Sequence, residues 1–291
     1  MADNIKYALI PAIVLLFGCF AVGCQYLIDE LQPNVPAAKE QPLRVSFLDV
    51  GQGDAVVIEV DDEVMMIDAG GSDRETVLIN MLDKMGISEI DFLIGTHPHE
   101  DHIGGMDRVI DRFEIGKIYV PDVTHTTAAF RNLIESIRDN GLTISDPAPG
   151  SSYSLGSAAW QIVAPNSVDY ESLNNYSVVI RLVYGDTSFL FTGDAEIESE
   201  LEMLELGYDL EAAVLKVSHH GSYSSSSEGF LSAVSPQYAV ICVGEDNPYG
   251  HPHKEVLEQL NENDVQVYRT DTDGTVVFTS DGSNLEIETW R

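Results

Sequence analysis

Residues 96–105 read THPHEDHIGG and place three imidazoles and a carboxylate on one short stretch, at His97, His99, Asp101 and His102. Neutral imidazole and ionised carboxylate are donors that zinc, manganese and iron accept. The alternating spacing lets His97 and His99 point the same way, while Asp101 and His102 reach a second point nearby. Two ions about 3.5–4 Å apart, the usual hydrolytic pair, suit that pattern. The competing reading is a surface loop with clustered histidines. Yet the chain has only eight histidines, and three of them sit here. The stretch reads as a metal site.

Such donors need a scaffold. Residues 90–94, IDFLI, read as a buried strand, Pro98 blocks a continuing ladder, and Gly104-Gly105 precede an amphipathic helix at 106–113. Other metal-competent side chains also stand at strand ends. Asp194 follows the strand 188–191 and precedes a helix, as a ligand or as an ordinary helix cap. His219 and His220 end the strand 214–217, and Asp68 ends another before Gly70-Gly71. His251 and His253 lie in YGHPH ahead of a helix. Either they form a capping turn, or one of them, with His253 favoured, faces the reacting group as electrophile or proton donor. Gln52 and Asp54 in GQGD are weaker candidates. The serine run from Ser222 either offers hydroxyls to an oxyanion or is a plain polar loop.

The spelling H-x-H-x-D-H before a glycine pair resembles the signature of the metallo-β-lactamase fold superfamily. FLDVGQGDA at 47–55, IDAGG at 67–71, LFTGDAE at 190–196, LKVSHHGS at 215–222 and YGHPH at 249–253 follow in order. Together they resemble the extracellular hydrolase domain of ComEC-type competence proteins and their free-standing relatives, over residues 43–291. The resemblance implies an α/β fold, a single four-layer αββα sandwich. It implies metal ligands at His97, His99, Asp101, His102, Asp194 and His220, with Asp194 bridging. Asp68 would support the metal loop, and His219 would contact substrate or a ligand. Two divalent ions, zinc or manganese, would hold a hydroxide that attacks a phosphodiester such as extracellular DNA or RNA, with Asp101 and Asp194 orienting the ion pair. One departure stands out. The superfamily usually carries a histidine between the first motif and the bridging aspartate. His125, the one histidine in that interval, comes too early, and the corresponding region reads LNNYS at 173–177. Either more water or the Asn174 oxygen would complete that ion's shell, and a harder, oxygen-rich shell shifts the balance toward manganese while still admitting zinc. The same ion pair also suits a small ester, lactone or lactam. A non-enzymatic reading is an accessory binding component of DNA uptake with structural metals only, although structural zinc sites are usually closed and Cys-rich.

Charge complicates the polyanion reading. Fifteen basic against 48 acidic side chains give a formal charge of −33, which provides no basic nucleic-acid footprint. An acidic secreted protein or one adapted to high salt both fit, since the Debye length shrinks to about 3 Å at molar ionic strength. Lys216, Lys254 and Arg269 are the candidates for a local basic patch.

Residues 7–28 carry no formal charge, and Ala21-Val22-Gly23-Cys24 reads as a lipoprotein cleavage box with Cys24 the lipidated residue. An uncleaved apolar anchor is the alternative. Both predict an extracytoplasmic protein tethered to a membrane, with residues 1–28 as leader, 29–42 as a Pro-containing spacer and 43–291 as the hydrolase domain. Cys242 lies in an apolar strand and reads as core. Within the domain, strands are expected at 43–48, 55–60, 64–67, 90–94, 117–120, 160–163, 178–184, 188–191, 213–217, 238–243, 265–268, 275–278 and 285–288. Helices are expected at 75–85, 106–113, 128–140 and 196–206, with another that ends over 230–234 and a last one over 256–261.

Overall fold

Period-two burial organises the first half of the chain. In the computed structural model, which describes residues 41–291, β1 (Leu43–Phe47) turns Leu43, Val45 and Phe47 to one face. β2 (Val56–Val60) does the same with Val56, Ile58 and Val60, and β3 (Glu63–Ile67) with Met65 and Ile67. Their alternates Val57 and Met66 face the other way, into a second apolar layer. A strand with both faces covered must be apolar on both. α1 (Glu75–Met85) covers that outer face through Leu78 and Leu82, then stops at Gly86, whose φ of 80° closes the helix. β4 (Glu89–Ile94), α2 (Glu100–Ile103), α3 (Met106–Arg112), β5 (Glu114–Tyr119), α4 (Ala128–Asp139) and β6 (Ile144–Ser145) complete this half.

The second half repeats the plan with β7 (Ser152–Leu155), β8 (Ala158–Ala164), β9 (Val179–Tyr184), β10 (Thr187–Phe191), α5 (Ile197–Leu206), β11 (Val214–Lys216), α6 (Glu228–Val234) and β12 (Tyr238–Ile241). It continues through α7 (Lys254–Glu262), β13 (Gln266–Arg269) and α8 (Thr270–Asp273), and ends in β14 (Thr275–Ser280) and β15 (Leu285–Trp290). An eight-stranded sheet in the order β15-β14-β1-β2-β3-β4-β5-β6 faces a seven-stranded sheet ordered β13-β12-β11-β10-β9-β8-β7. β14 and β15 return to the first sheet beside β1. The layer between the sheets holds Phe47, Phe189, Phe191 and Phe278, with Phe47 centred 6.0 Å from both Phe191 and Phe278. Helices α5 to α7 cover the outer face of the second sheet through Met203, Phe230, Leu231, Val256 and Leu260. The expected αββα sandwich is the observed one.

Strands β3 to β6 run parallel, as do β10 to β13. Parallel pairing sends several strand C-termini to one edge, and that edge carries the chemistry. The residue expectations differ from the structure in small elements. β6, β7 and α8 are short and polar and leave no periodic signal, and the metal loop contains its own turn of helix, α2. The leader, the Cys24 site and nearly all of the spacer lie outside the described residues. Among the described residues, no helix is long and apolar enough to cross a membrane.

Candidate metal centre

Asp68 follows β3, Thr96 and His97 follow β4, Asp194 follows β10, and β11 leads into the 3-10 turn Ser218–Gly221. Asp68, His219 and His220 adopt φ of 58°, 49° and 53°, a left-handed backbone that costs energy for residues with a Cβ. The strain sits where these side chains leave their strands for one common focus.

One donor set gathers around Asp194 Oδ2. His97 Nε2 lies 3.7 Å from it and 2.9 Å from His99 Nδ1. His219 Nε2 reaches the same oxygen at 3.8 Å. The other ring nitrogen of His219 faces Glu196 Oε1 at 3.4 Å, so the carboxylate selects the tautomer protonated at Nδ1 and frees Nε2. That His219 hydrogen bond is the main reason the Glu196 carboxyl is pushed down to about 2.

The second set is His102, His220 and Asp101. His102 Nε2 and His220 Nε2 stand 3.3 Å apart, with Asp101 Oδ2 3.2 Å from the latter. Asp194 joins this set as well, its Oδ1 3.2 Å from His102 Nε2. His220 Nδ1 donates to the Cys242 carbonyl at 2.8 Å, and His102 Nδ1 donates to Asp68 Oδ2 at 2.7 Å. Asp68 also accepts the Thr96 backbone N–H and hydroxyl. With both Nδ1 atoms committed as donors, two Nε2 lone pairs converge between carboxylates, an arrangement that calls for a cation. In the protein alone protons take that place. Burial disfavours the His102 imidazolium, yet Asp194, Asp68 and Asp54 hold it well above its ordinary range. Burial likewise opposes charge on His220, but Asp194, Asp101 and Asp54 push it up to about 10. His97 moves the other way, kept well below its ordinary value by burial and by the nearby charge of His102. Asn174 Oδ1 is buried without a hydrogen-bond partner while its amide nitrogen faces Glu196 and His219. An oxygen so placed fits an absent cation better than an empty space.

Beneath these donors sits a buried ion pair. Lys216 Nζ contacts Asp54 Oδ2 at 2.5 Å and donates to the Gly193 carbonyl at 2.8 Å. Asp54 reaches His220 Nδ1 at 3.4 Å, and its backbone N–H donates to the Asp101 carbonyl. That approach needs Gly53, where a Cβ would lie 2.1 Å from the same carbonyl oxygen. Lys216 is therefore no part of a nucleic-acid patch. Lys254 is exposed but paired with Glu258, and Arg269 is paired with Asp271.

The donors floor an open cleft of about 840 Å³. Its walls include Asp49, Asp73, Glu100, Glu245, Asp246 and Asp271, against a single arginine or lysine among the described residues, Arg74. Arg74 and His125 border the cleft although the residue pattern marked neither for it; His125 comes within 6.0 Å of His99, ring to ring. The structure separates the two histidines of YGHPH. His251 lines the cleft, whereas His253 caps α7 and accepts the Tyr223 N–H through Nδ1. Burial and the neighbouring His219, His220 and His253 lower His251 to about 4. Ser222 is buried, with its hydroxyl 3.0 Å from that of Ser224 and accepting the Ser224 N–H. Gln52 lines the cleft with its amide oxygen on the Gly244 N–H.

A strand-end cleft with two histidine–aspartate donor sets between facing sheets defines a class, and comparison agrees with it. Residues 48–245 match the Metallo-beta-lactamase superfamily, and the chain belongs to that superfamily. Within it, the chain is 31% identical over 252 residues to ComE operon protein 3 of Bacillus subtilis (strain 168), covering 80% of this chain and 32% of that protein. It is 32% identical over 254 residues to Recombination protein 2 of Haemophilus influenzae, covering 85% of this chain and 30% of that protein. The chain thus spans about a third of the length of these relatives. Among solved structures, YhfI of Bacillus subtilis superposes with a TM-score of 0.53 at 12% identity, over 80% of this chain and 99% of YhfI. CmlA of Streptomyces venezuelae, a diiron β-hydroxylase, gives 0.54 at 14% identity, over 82% of this chain and 54% of CmlA. At such identities the likeness is one of fold.

Proposed function

We propose that this protein is a metal-dependent phosphodiesterase acting outside the cytoplasm, tethered through its N-terminus. The observation that carries the reading is the meeting of two donor sets across one carboxylate, Asp194, on the cleft floor. His97, His99 and His219 would hold one divalent cation with Asp194, and Asp101, His102 and His220 a second. Bound zinc or manganese would supply Lewis acidity and an activated water. The chain's own residues do the rest. Asp68 and the Cys242 carbonyl fix the tautomers that present Nε2. Lys216 holds Asp54 beneath the donors and offsets part of their negative charge. His251, neutral near pH 7, stands at the cleft wall where the residue pattern had favoured His253.

Similarity to competence and recombination proteins supports a phosphodiester substrate. The acidic cleft wall favours a second reading, hydrolysis of a small ester, lactone or lactam that brings no charge. The full chain, with metal content measured by mass spectrometry, is assayed on bis(p-nitrophenyl) phosphate, DNA and a lactone across a salt series. Metal-dependent diester cleavage that persists or rises with salt is expected, because screening relieves repulsion by the acidic surface. A metal-loaded protein inert on every diester but active on the lactone overturns the phosphodiesterase reading. For the tether, Cys24→Ser is expected to release the protein from membranes. Unchanged retention, with no lipid mass on the native protein, overturns the lipid anchor in favour of an apolar one.

A further inference from the structure

A ladder of rings climbs from the metal centre to the surface. His220, the donor held by the Cys242 carbonyl, lies 6.3 Å from His251 with the ring planes 28° apart. His251 in turn lies 5.7 Å from Tyr249 at 24°. Tyr249 is 62% exposed, a large aromatic ring open to solvent on the wall of the cleft. Such near-parallel planes are the offset-stacking geometry of aromatic side chains.

The ladder is built into the fold. Asn247 donates to the carbonyls of Gly244 and His251 and accepts the His251 N–H, stapling both ends of the loop that carries Tyr249. The loop is then joined to the metal turn, because the His253 N–H donates to the Gly221 carbonyl. Gly221 has φ of 81°, and a Cβ there would lie 2.6 Å from the Pro252 side chain. Ring positions are thereby set by the same turn that positions His220.

The cleft wall gives this ladder a purpose. It opposes phosphate with six carboxylates and answers them with one guanidinium, that of Arg74. Recognition through backbone charge is therefore weak, while a π-face is indifferent to such a field and keeps its strength in salt. We infer that Tyr249, supported by His251, is a stacking subsite for an unpaired nucleobase next to the scissile phosphodiester. This rests on the phosphodiesterase reading. It narrows the substrate to strands or ends whose bases are free, since a base inside a duplex has its faces covered.

The test compares the full-length, metal-loaded wild type with Tyr249→Ala and Tyr249→Trp. The substrates are single-stranded oligo(dT) and a strand of equal length with abasic tetrahydrofuran residues. Stacking on an aromatic side chain contributes about 1–3 kcal/mol per base, roughly 5- to 150-fold. Wild type is expected to prefer the base-bearing strand by a factor in that range. Tyr249→Ala should collapse the preference, mostly through KM, and Tyr249→Trp should restore it. Equal cleavage of both strands by wild type, or an unchanged preference in Tyr249→Ala, overturns the subsite while leaving the phosphodiesterase reading intact. If no diester is cleaved at all, that reading fails, and equilibrium binding decides the subsite. Retention of oligo(dT) over the abasic strand that Tyr249→Ala abolishes would uphold it, and equal binding of the two strands would overturn it.

Discussion

Replacing Asp68 by Asn changes one atom in a buried hydrogen-bond triad and should disable a donor it never touches through metal. Asp68 Oδ1 accepts the Thr96 backbone N–H at 2.8 Å, so the oxygen of an asparagine must stay there. The new amide nitrogen then takes the place of Oδ2, 2.7 Å from both the Thr96 hydroxyl and His102 Nδ1. The hydroxyl can rotate and accept. His102 Nδ1 must also accept, which moves its proton to Nε2 and blocks the nitrogen that faces His220 and Asp194. Losing the partner that orients a histidine ligand typically costs 10- to 100-fold in metal affinity, about 1.4–2.8 kcal/mol. The assay is competition with a chromophoric chelator on the purified protein, with metal content by mass spectrometry. Of the two proposed ions, the one held by His102 is expected to weaken by that factor while the cooperative fold persists. Asp68→Ala separates the effects, because it leaves the Thr96 N–H without a partner at a cost of about 1–3 kcal/mol in stability. Wild-type affinity for both ions in Asp68→Asn would refute the idea that Asp68 selects the His102 tautomer.

Other consequences are as direct. Asp194→Ala removes the carboxylate common to both donor sets, so bound metal should fall to one ion or none and hydrolysis should vanish; two ions at wild-type rate would contradict the bridging role. Lys216→Met leaves Asp54 buried without its cation, a change worth about 3–5 kcal/mol of destabilisation, read by urea denaturation. In metal-free protein, His220 is protonated in the folded state up to about pH 10 but titrates near its ordinary value of 6.5 when unfolded. The folded state then binds the extra proton, so this group's contribution to stability is full below pH 6.5 and lost as pH rises toward 10. Chemical denaturation in chelator across that window should show the decline, and saturating metal should remove it.

Much of this was legible because strand parity and strand-end position are written into residue order. The run at 96–105 lies where a loop between strand and helix was expected, and Asp68, Asp194 and His220 stand at strand ends as anticipated. Parity was also available for Lys216. It lies two residues from Val214 along β11, on the side that faces between the sheets, so its burial follows from the same alternation. What misled was its charge, which suggests solvent until the Asp54 partner, 162 positions earlier, is seen across the fold. His251 and His253 are separated only by the turn between them. Arg74 stands at the start of α1 and His125 in the loop before α4; both reach the cleft, and no spacing rule encodes that. β6 and α8, with two and four residues, are too short for any period.

Each donor set draws on both sheets. His97, His99, Asp101 and His102 hang from the first, while Asp194, His219 and His220 hang from the second. Neither half of the sandwich holds a complete set. A cation held by both would act as a latch across the layer of phenylalanines, and its binding would then be coupled to the docking of one sheet on the other. At a hundred times its dissociation constant, such a ligand adds about 2.7 kcal/mol to the folded state. Metal supply would govern how long the sandwich stays closed as well as whether it turns over substrate.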